Sequence, residues 1–315
     1  MEQKLSINPE VSMQAMCGKF DENVKIIQDQ FGVEIFFIGS ELLLKGSNES
    51  IGLAIKVLRA MENLILAGSD LDLQKLEYLI HMTLSQEQHN LEELDKQVLI
   101  ATHKGKLIKP RTKGQDLYCK TIEENTLTFG VGPAGTGKTF LAVTMAARAF
   151  RNKEVSKIII TRPAIEAGEK LGFLPGDLQE KVDPYLRPLY DALGDIFGNE
   201  SFTRLCERGV IEVAPLAYMR GRTLDNSFII LDEAQNTTIE QMKMFLTRFG
   251  AESKVVVNGD ITQIDLPPGQ TSGLKHATDI LKNIEDIAMV YFSFEDVVRH
   301  RLVKRILARY EKSHD

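Results

Sequence analysis

Leu127-Thr128-Phe129-Gly130-Val131-Gly132-Pro133-Ala134-Gly135-Thr136-Gly137-Lys138-Thr139 is the stretch on which the fold turns. Its first five residues form an apolar run of strand length, and the next eight fit the pattern G-x-x-x-x-G-K-[ST]. Phe140 to Phe150 then carry apolar side chains at helical spacing. Strand, glycine-rich loop and helix in that order make a phosphate cradle: the glycines let backbone N–H groups turn inward, and the helix N-terminus adds its positive end. Gly132, Pro133, Ala134, Gly135, Thr136, Gly137, Lys138 and Thr139 are therefore expected to bind ATP. Lys138 would bridge the β- and γ-phosphates, and the Thr139 hydroxyl would hold magnesium.

Downstream, short apolar strands alternate with helix-length segments at Lys157 to Thr161, Ile211 to Val213, Phe228 to Leu231, Val255 to Val257 and Ala288 to Phe292. This alternation predicts an α/β core, a mostly parallel sheet with helices on both faces. The run Phe228-Ile229-Ile230-Leu231 stops on Asp232-Glu233. A buried strand that ends in two acids points them from its C-terminal edge, beside the phosphate loop. Asp232 is expected to hold magnesium through water, and Glu233 to polarise the attacking water. A small-molecule kinase has no call for that glutamate, whereas an ATP hydrolase does. The strand Val255 to Val257 ends on Asn258-Gly259-Asp260, with Gln263 close behind. Asn258 is the expected sensor of hydrolysis, and Gln263 the reporter of the γ-phosphate state.

The rest of the chain sets limits. At 315 residues it has length for one large and one small domain, each with its own core. No run approaches the ~18 apolar residues of a membrane span, and no apolar signal region follows Met1-Glu2-Gln3-Lys4, so a cytoplasmic location is expected. Cys17, Cys119 and Cys206 are odd in number and far apart, which suits neither a disulfide framework nor a zinc site. A net charge of -6 excludes a general polyanion binder, so any nucleic-acid contact must come from a local patch. One basic stretch exists: Lys104, Lys106, Lys109, Arg111 and Lys113 have no acid between them, and residues 91–114 read as a basic linker with a possible helix at Leu91 to Ala101. Ahead of it, residues 1–90 read as a small α+β unit. A strand near Leu5 to Ile7 and two short helices precede the strands Val33 to Ile38 and Glu41 to Lys45, which a Gly39-Ser40 turn divides. Helices at Ile51 to Ala67 and Leu71 to Leu84 complete the unit.

From Lys109 onward the chain resembles the PhoH family of ATPases. The resemblance rests on Gly130 to Thr139, Thr161-Arg162-Pro163, Leu171-Gly172-Phe173-Leu174-Pro175-Gly176, Ile230 to Asn236, and Gly259-Asp260-Ile261-Thr262-Gln263. The motif order is also similar to a single core of superfamily 1 helicases. That resemblance implies a RecA-like P-loop core over 115–315 with ATP and Mg2+ as cofactors, and Gln115 as reader of the adenine edge. Translocating helicases use two cores and this chain one, so the resemblance implies an arginine from a neighbouring subunit, and with it a homo-oligomer, a hexameric ring. Arg299 is favoured over Arg301, Arg220, Arg222 and Arg162, because similar text occupies a late helicase motif. The family also implies RNA or ribonucleoprotein processing and an endoribonuclease partner. The N-terminal unit resembles a KH-like domain, with Gly18-Lys19-Phe20-Asp21 where an RNA-clamping loop has Gly-x-x-Gly. Asp21 stands at the second glycine, so the other reading is a protein-docking module on an assembly or remodelling ATPase.

Overall fold

The computed structural model describes residues 1–39, 41–68, 71–84, 97–163, 178–298 and 303, without the side chains of Gln74 and of residues 178–185. Ser40, the Leu171 to Gly176 motif, Arg299 and Arg301 lie outside these residues, as do 91–96 of the expected helix and linker. The described residues divide into two compact units, one running to Gln97 and the other spanning Val98–Val298.

In the first unit, β1 (Glu2–Ser6), α1 (Met13–Cys17), α2 (Glu22–Phe31), β2 (Glu34–Ile38), β3 (Glu41–Lys45), α3 (Asn48–Leu66) and α4 (Leu73–Leu84) follow in order. The strands make an antiparallel sheet ordered β1-β3-β2. Ser47 caps α3 by accepting the Ser50 N–H, and Ile51, Ala54, Val57, Leu58 and Met61 line the helix's buried face at three- and four-residue spacing. This is the expected small α+β domain. Its Gly18–Asp21 turn carries Phe20 and Asp21 at φ 55° and 58°, and the Phe20 ring is 92% exposed.

The second unit begins inside the expected linker, which is a correction. Val98-Leu99-Ile100 and Leu107-Ile108 flank a turn, and β4 (Ile100–Ala101) pairs antiparallel with β5 (Leu107–Ile108). Leu99, Ile100 and Ile108 are buried in the core of this unit, while Lys104 and Lys106 stay exposed. The hairpin is amphipathic, and its lysines masked the few apolar side chains that dock it. Residues 97–101 are accordingly not helical.

Beyond it come α5 (Lys113–Glu124), β6 (Leu127–Val131), α6 (Lys138–Arg151), β7 (Lys157–Arg162), α7 (Leu178–Phe197), α8 (Asn199–Glu207), β8 (Ile211–Pro215), β9 (Ser227–Leu231), α9 (Ile239–Leu246), β10 (Lys254–Gly259), α10 (Gly273–Ile280) and β11 (Ile287–Tyr291). All six expected strands are present within two residues of their expected ends. They form one parallel sheet ordered β11-β6-β10-β9-β7-β8. Strands β6 and β9 are buried at every position, as helices on both faces require. Alanines at 142, 146, 147 and 149 let α6 lie close against the sheet. Because β10 separates β6 from β9, the ends of three neighbouring strands open onto one crevice at the sheet's C-terminal edge, where open α/β sheets bind ligands.

Candidate nucleotide site

The loop leaving β6 turns at Gly132, whose φ of 153° brings the backbone so close to β11 that a Cβ would lie 2.6 Å from the Phe292 carbonyl. Helix α6 opens behind Gly137, itself at φ 83°, so its first N–H groups face the loop's interior. Lys138 folds back over that interior. Its Nζ donates to the carbonyls of Gly132 (2.7 Å) and Pro133 (2.8 Å), contacts that phosphate oxygens would replace. Ala134, Gly135, Gly137, Lys138 and Thr139 line a cavity of about 530 Å³ together with Arg162, Asp232, Glu233, Asp260 and Gln263.

Thr139 Oγ1 donates to Asp232 Oδ1 at 2.7 Å across the strand that separates them. Asp232 is 5% exposed; burial pushes its carboxyl up, and the neighbouring Glu233 charge adds to this against Arg162, Thr139 and Lys138. A divalent cation between Thr139 and Asp232 would offset that cost, so the donor set fits magnesium. Among the described residues, two buried polar atoms, Thr161 Oγ1 and Asn258 Nδ2, have no partner, and they sit at the ends of β7 and β10 on either side of the Asp232 strand.

Glu233, at φ 52°, is held from two directions. Arg162 Nη2 lies 2.8 Å from its Oε1, and Gln235 Nε2 donates to its Oε2 at 2.6 Å. Gln235 Oε1 in turn accepts the Asp260 N–H (3.0 Å), and Asp260 Oδ2 accepts the Ala134 N–H of the phosphate loop (3.1 Å). A continuous hydrogen-bonded path thus joins Glu233 to the loop. Neither Gln235 nor Asp260 had been singled out in the sequence. Both stand inside quoted motifs, but the spacing alone assigns them no partner.

Three groups named from the sequence have partners that the spacing did not show. Asn258 is fully buried and its Oδ1 accepts the Tyr118 hydroxyl (2.5 Å), so it is a brace beneath the site while Asp260 and Gln263 face the cavity. Gln115 is also buried. Its Nε2 donates to the Thr136 carbonyl (2.9 Å) and its Oε1 accepts the Arg111 N–H (2.8 Å), so the amide ties the phosphate loop to α5. Lys104, Lys106, Lys109 and Arg111 of the basic stretch line a second cavity of about 620 Å³ with Gln115, Phe140 and Leu141. Among the arginines, Arg222 is paired with Glu212 (2.5 and 2.7 Å) and Arg220 follows the short turn Leu216–Met219. Neither lines the cavity over Lys138; Arg162 does.

A parallel sheet with a glycine loop on one strand, a threonine–aspartate pair across the crevice and a glutamate behind them defines a P-loop NTPase core. The chain belongs to the PhoH-like protein family, whose model matches residues 107–311. A PhoH-like protein of Bacillus subtilis (strain 168) is 48% identical over 314 residues, covering 100% of this chain and 98% of that one. One from Synechocystis is 47% identical, covering 96% and 92%. Protein PhoH of Escherichia coli K12 is 50% identical over 206 residues, covering 64% of this chain and 58% of that one. No helix among the described residues is long and apolar enough to cross a membrane.

Proposed function

We propose that this chain binds ATP at the Gly132–Thr139 loop and hydrolyses it with Glu233 as general base. The observation that carries this reading is the convergence on one cavity of Lys138, the 2.7 Å Thr139–Asp232 pair and a glutamate already held by an ion pair to Arg162 and a hydrogen bond from Gln235. Thr139 and Asp232 would hold magnesium, which neutralises charge on the β- and γ-phosphate oxygens. Lys138 would leave the carbonyls of Gly132 and Pro133 for the phosphates. Glu233 would accept the proton of the attacking water.

Coupling to single-stranded RNA is the second half of the proposal. It is supported by the N-terminal α+β unit, which presents Phe20 fully to solvent beside Lys19 on a turn in left-handed backbone. An exposed aromatic face stacks any base, and such contacts do not require the phosphate clamp that Asp21 disfavours. Turnover of ATP by the purified protein with and without single-stranded RNA, with Glu233→Gln as blank, tests both halves. Hydrolysis equal in wild type and blank would refute the site. Hydrolysis indifferent to RNA would refute the coupling and favour a protein client.

A further inference from the structure

We infer that Arg162 is the charge-stabilising arginine of this site and acts within its own chain, held at rest by the very glutamate that activates water; the inference rests on the ATPase reading above. Arg162 ends β7, and its guanidinium and the phosphate loop line the same cavity. Its Nη2 is 2.8 Å from Glu233 Oε1. A general base must come within about 3 Å of the water it activates, so Arg162 Nη2 rests within about 6 Å of a water held by the same Glu233 oxygen.

Electrostatics give the pair two states. Without nucleotide, Glu233 is the anion facing Arg162, and the ion pair neutralises both. A γ-phosphate held by Lys138 brings more negative charge than one carboxylate and competes for the guanidinium, whose planar fork suits phosphate oxygens. Gln235 makes the exchange productive. Its 2.6 Å bond holds Glu233 in place after Arg162 leaves, because the same amide is anchored on the Asp260 N–H. The base is freed without being lost. As the water oxygen bonds to the γ-phosphorus, its proton passes to Glu233 and the bond from phosphorus to the β–γ bridging oxygen breaks, leaving ADP and phosphate. Arg162 then sits against the charge that spreads over the γ-oxygens. Gln235 is the positioning residue of this arrangement. An arginine in cis also removes the reason for demanding one from a neighbouring subunit.

The test uses the full chain with Arg162→Ala, Arg162→Lys and Glu233→Gln. Arg162→Ala is expected to lose about 10³-fold in kcat, the lower end of what such an arginine supplies, with little change in affinity for a fluorescent ATP analogue. Arg162→Lys preserves the charge without the fork and is expected to fall between the two. Millimolar guanidinium chloride is expected to restore part of the Arg162→Ala turnover and none of the Glu233→Gln turnover. Arg162→Ala and Glu233→Gln chains, co-expressed with different tags and purified through both, are expected to stay inactive. Recovery of turnover in that mixed assembly, or an unchanged kcat in Arg162→Ala beside an active wild type, would overturn the assignment while leaving the ATPase reading intact. A wild type without turnover would instead strike the ATPase reading itself.

Discussion

Tyr118→Phe removes a single oxygen from a place where nothing can replace it. Tyr118 and Asn258 are both 0% exposed, their bond is 2.5 Å, and Asn258 Nδ2 already has no partner. Burial has pushed the Tyr118 phenol well above its ordinary range, so at neutral pH it is the donor and the Asn258 carbonyl the acceptor. Without the hydroxyl the Asn258 amide is buried with neither end satisfied, which costs about 1–3 kcal/mol. In a unit of this size that lowers the melting temperature by roughly 2–4 °C per kcal/mol. Urea unfolding of the wild type and Tyr118→Phe measures the loss, and a cycle with Asn258→Ala isolates the pair, with an expected coupling of about 1 kcal/mol or more. Because Asn258 is a brace under the site, kcat should change far less than stability. A Tyr118→Phe variant as stable as wild type would refute the reasoning. So would a large fall in kcat at unchanged stability, which would return Asn258 to the role of sensor.

Glu233→Gln should bind ATP normally and lose about 10²–10⁴-fold in turnover, read as phosphate release beside analogue binding; equal loss of binding would contradict a role confined to the water. Gln115→Ala strips partners from the Thr136 carbonyl and the Arg111 N–H, and at about 1.4 kcal/mol per tenfold it should raise KM for ATP up to roughly tenfold, with kcat nearly unchanged. A change in kcat alone would instead place Gln115 in the chemistry. Burial pushes the Cys119 thiol up from 9.0 to about 12, ahead of smaller contributions from Asp116 and Glu123. Between those values the unfolded chain ionises while the folded one does not, so this contribution to stability is complete below pH 9 and is lost as pH rises toward 12. Urea midpoints from pH 8 to 11 should fall more steeply in wild type than in Cys119→Ala; parallel curves would refute this.

Strands β6, β7, β9 and β10 were legible because a parallel strand covered on both faces reads as an apolar run, and the edge strands β8 and β11 by their place in the alternation with helices. The phosphate loop was equally plain, since its glycines answer to backbone geometry that no other residue supplies cheaply. The β4–β5 hairpin was not. Lys104 and Lys106 fill its turn and three more basic residues follow it, and only the packed core shows that Leu99, Ile100 and Ile108 matter more to its position. The partner of Asn258 was hidden for a related reason: a polar residue at a strand end looks the same whether it faces a crevice or a tyrosine beneath it.

By itself, then, the sequence determined the elements, the phosphate loop, the acids that answer it and the family, all of which depend on local spacing and backbone conformation. Tertiary structure alone decided which polar groups meet. The insertion of β10 between β6 and β9 brings Asp260 to the loop. The adjacency of β7 and β9 sets Arg162 against Glu233, and α5 places Gln115 under Thr136. Those pairings lie 21 to 126 residues apart in the chain, and hydrogen bonds and ion pairs act over about 3 Å of space whatever the distance along the chain.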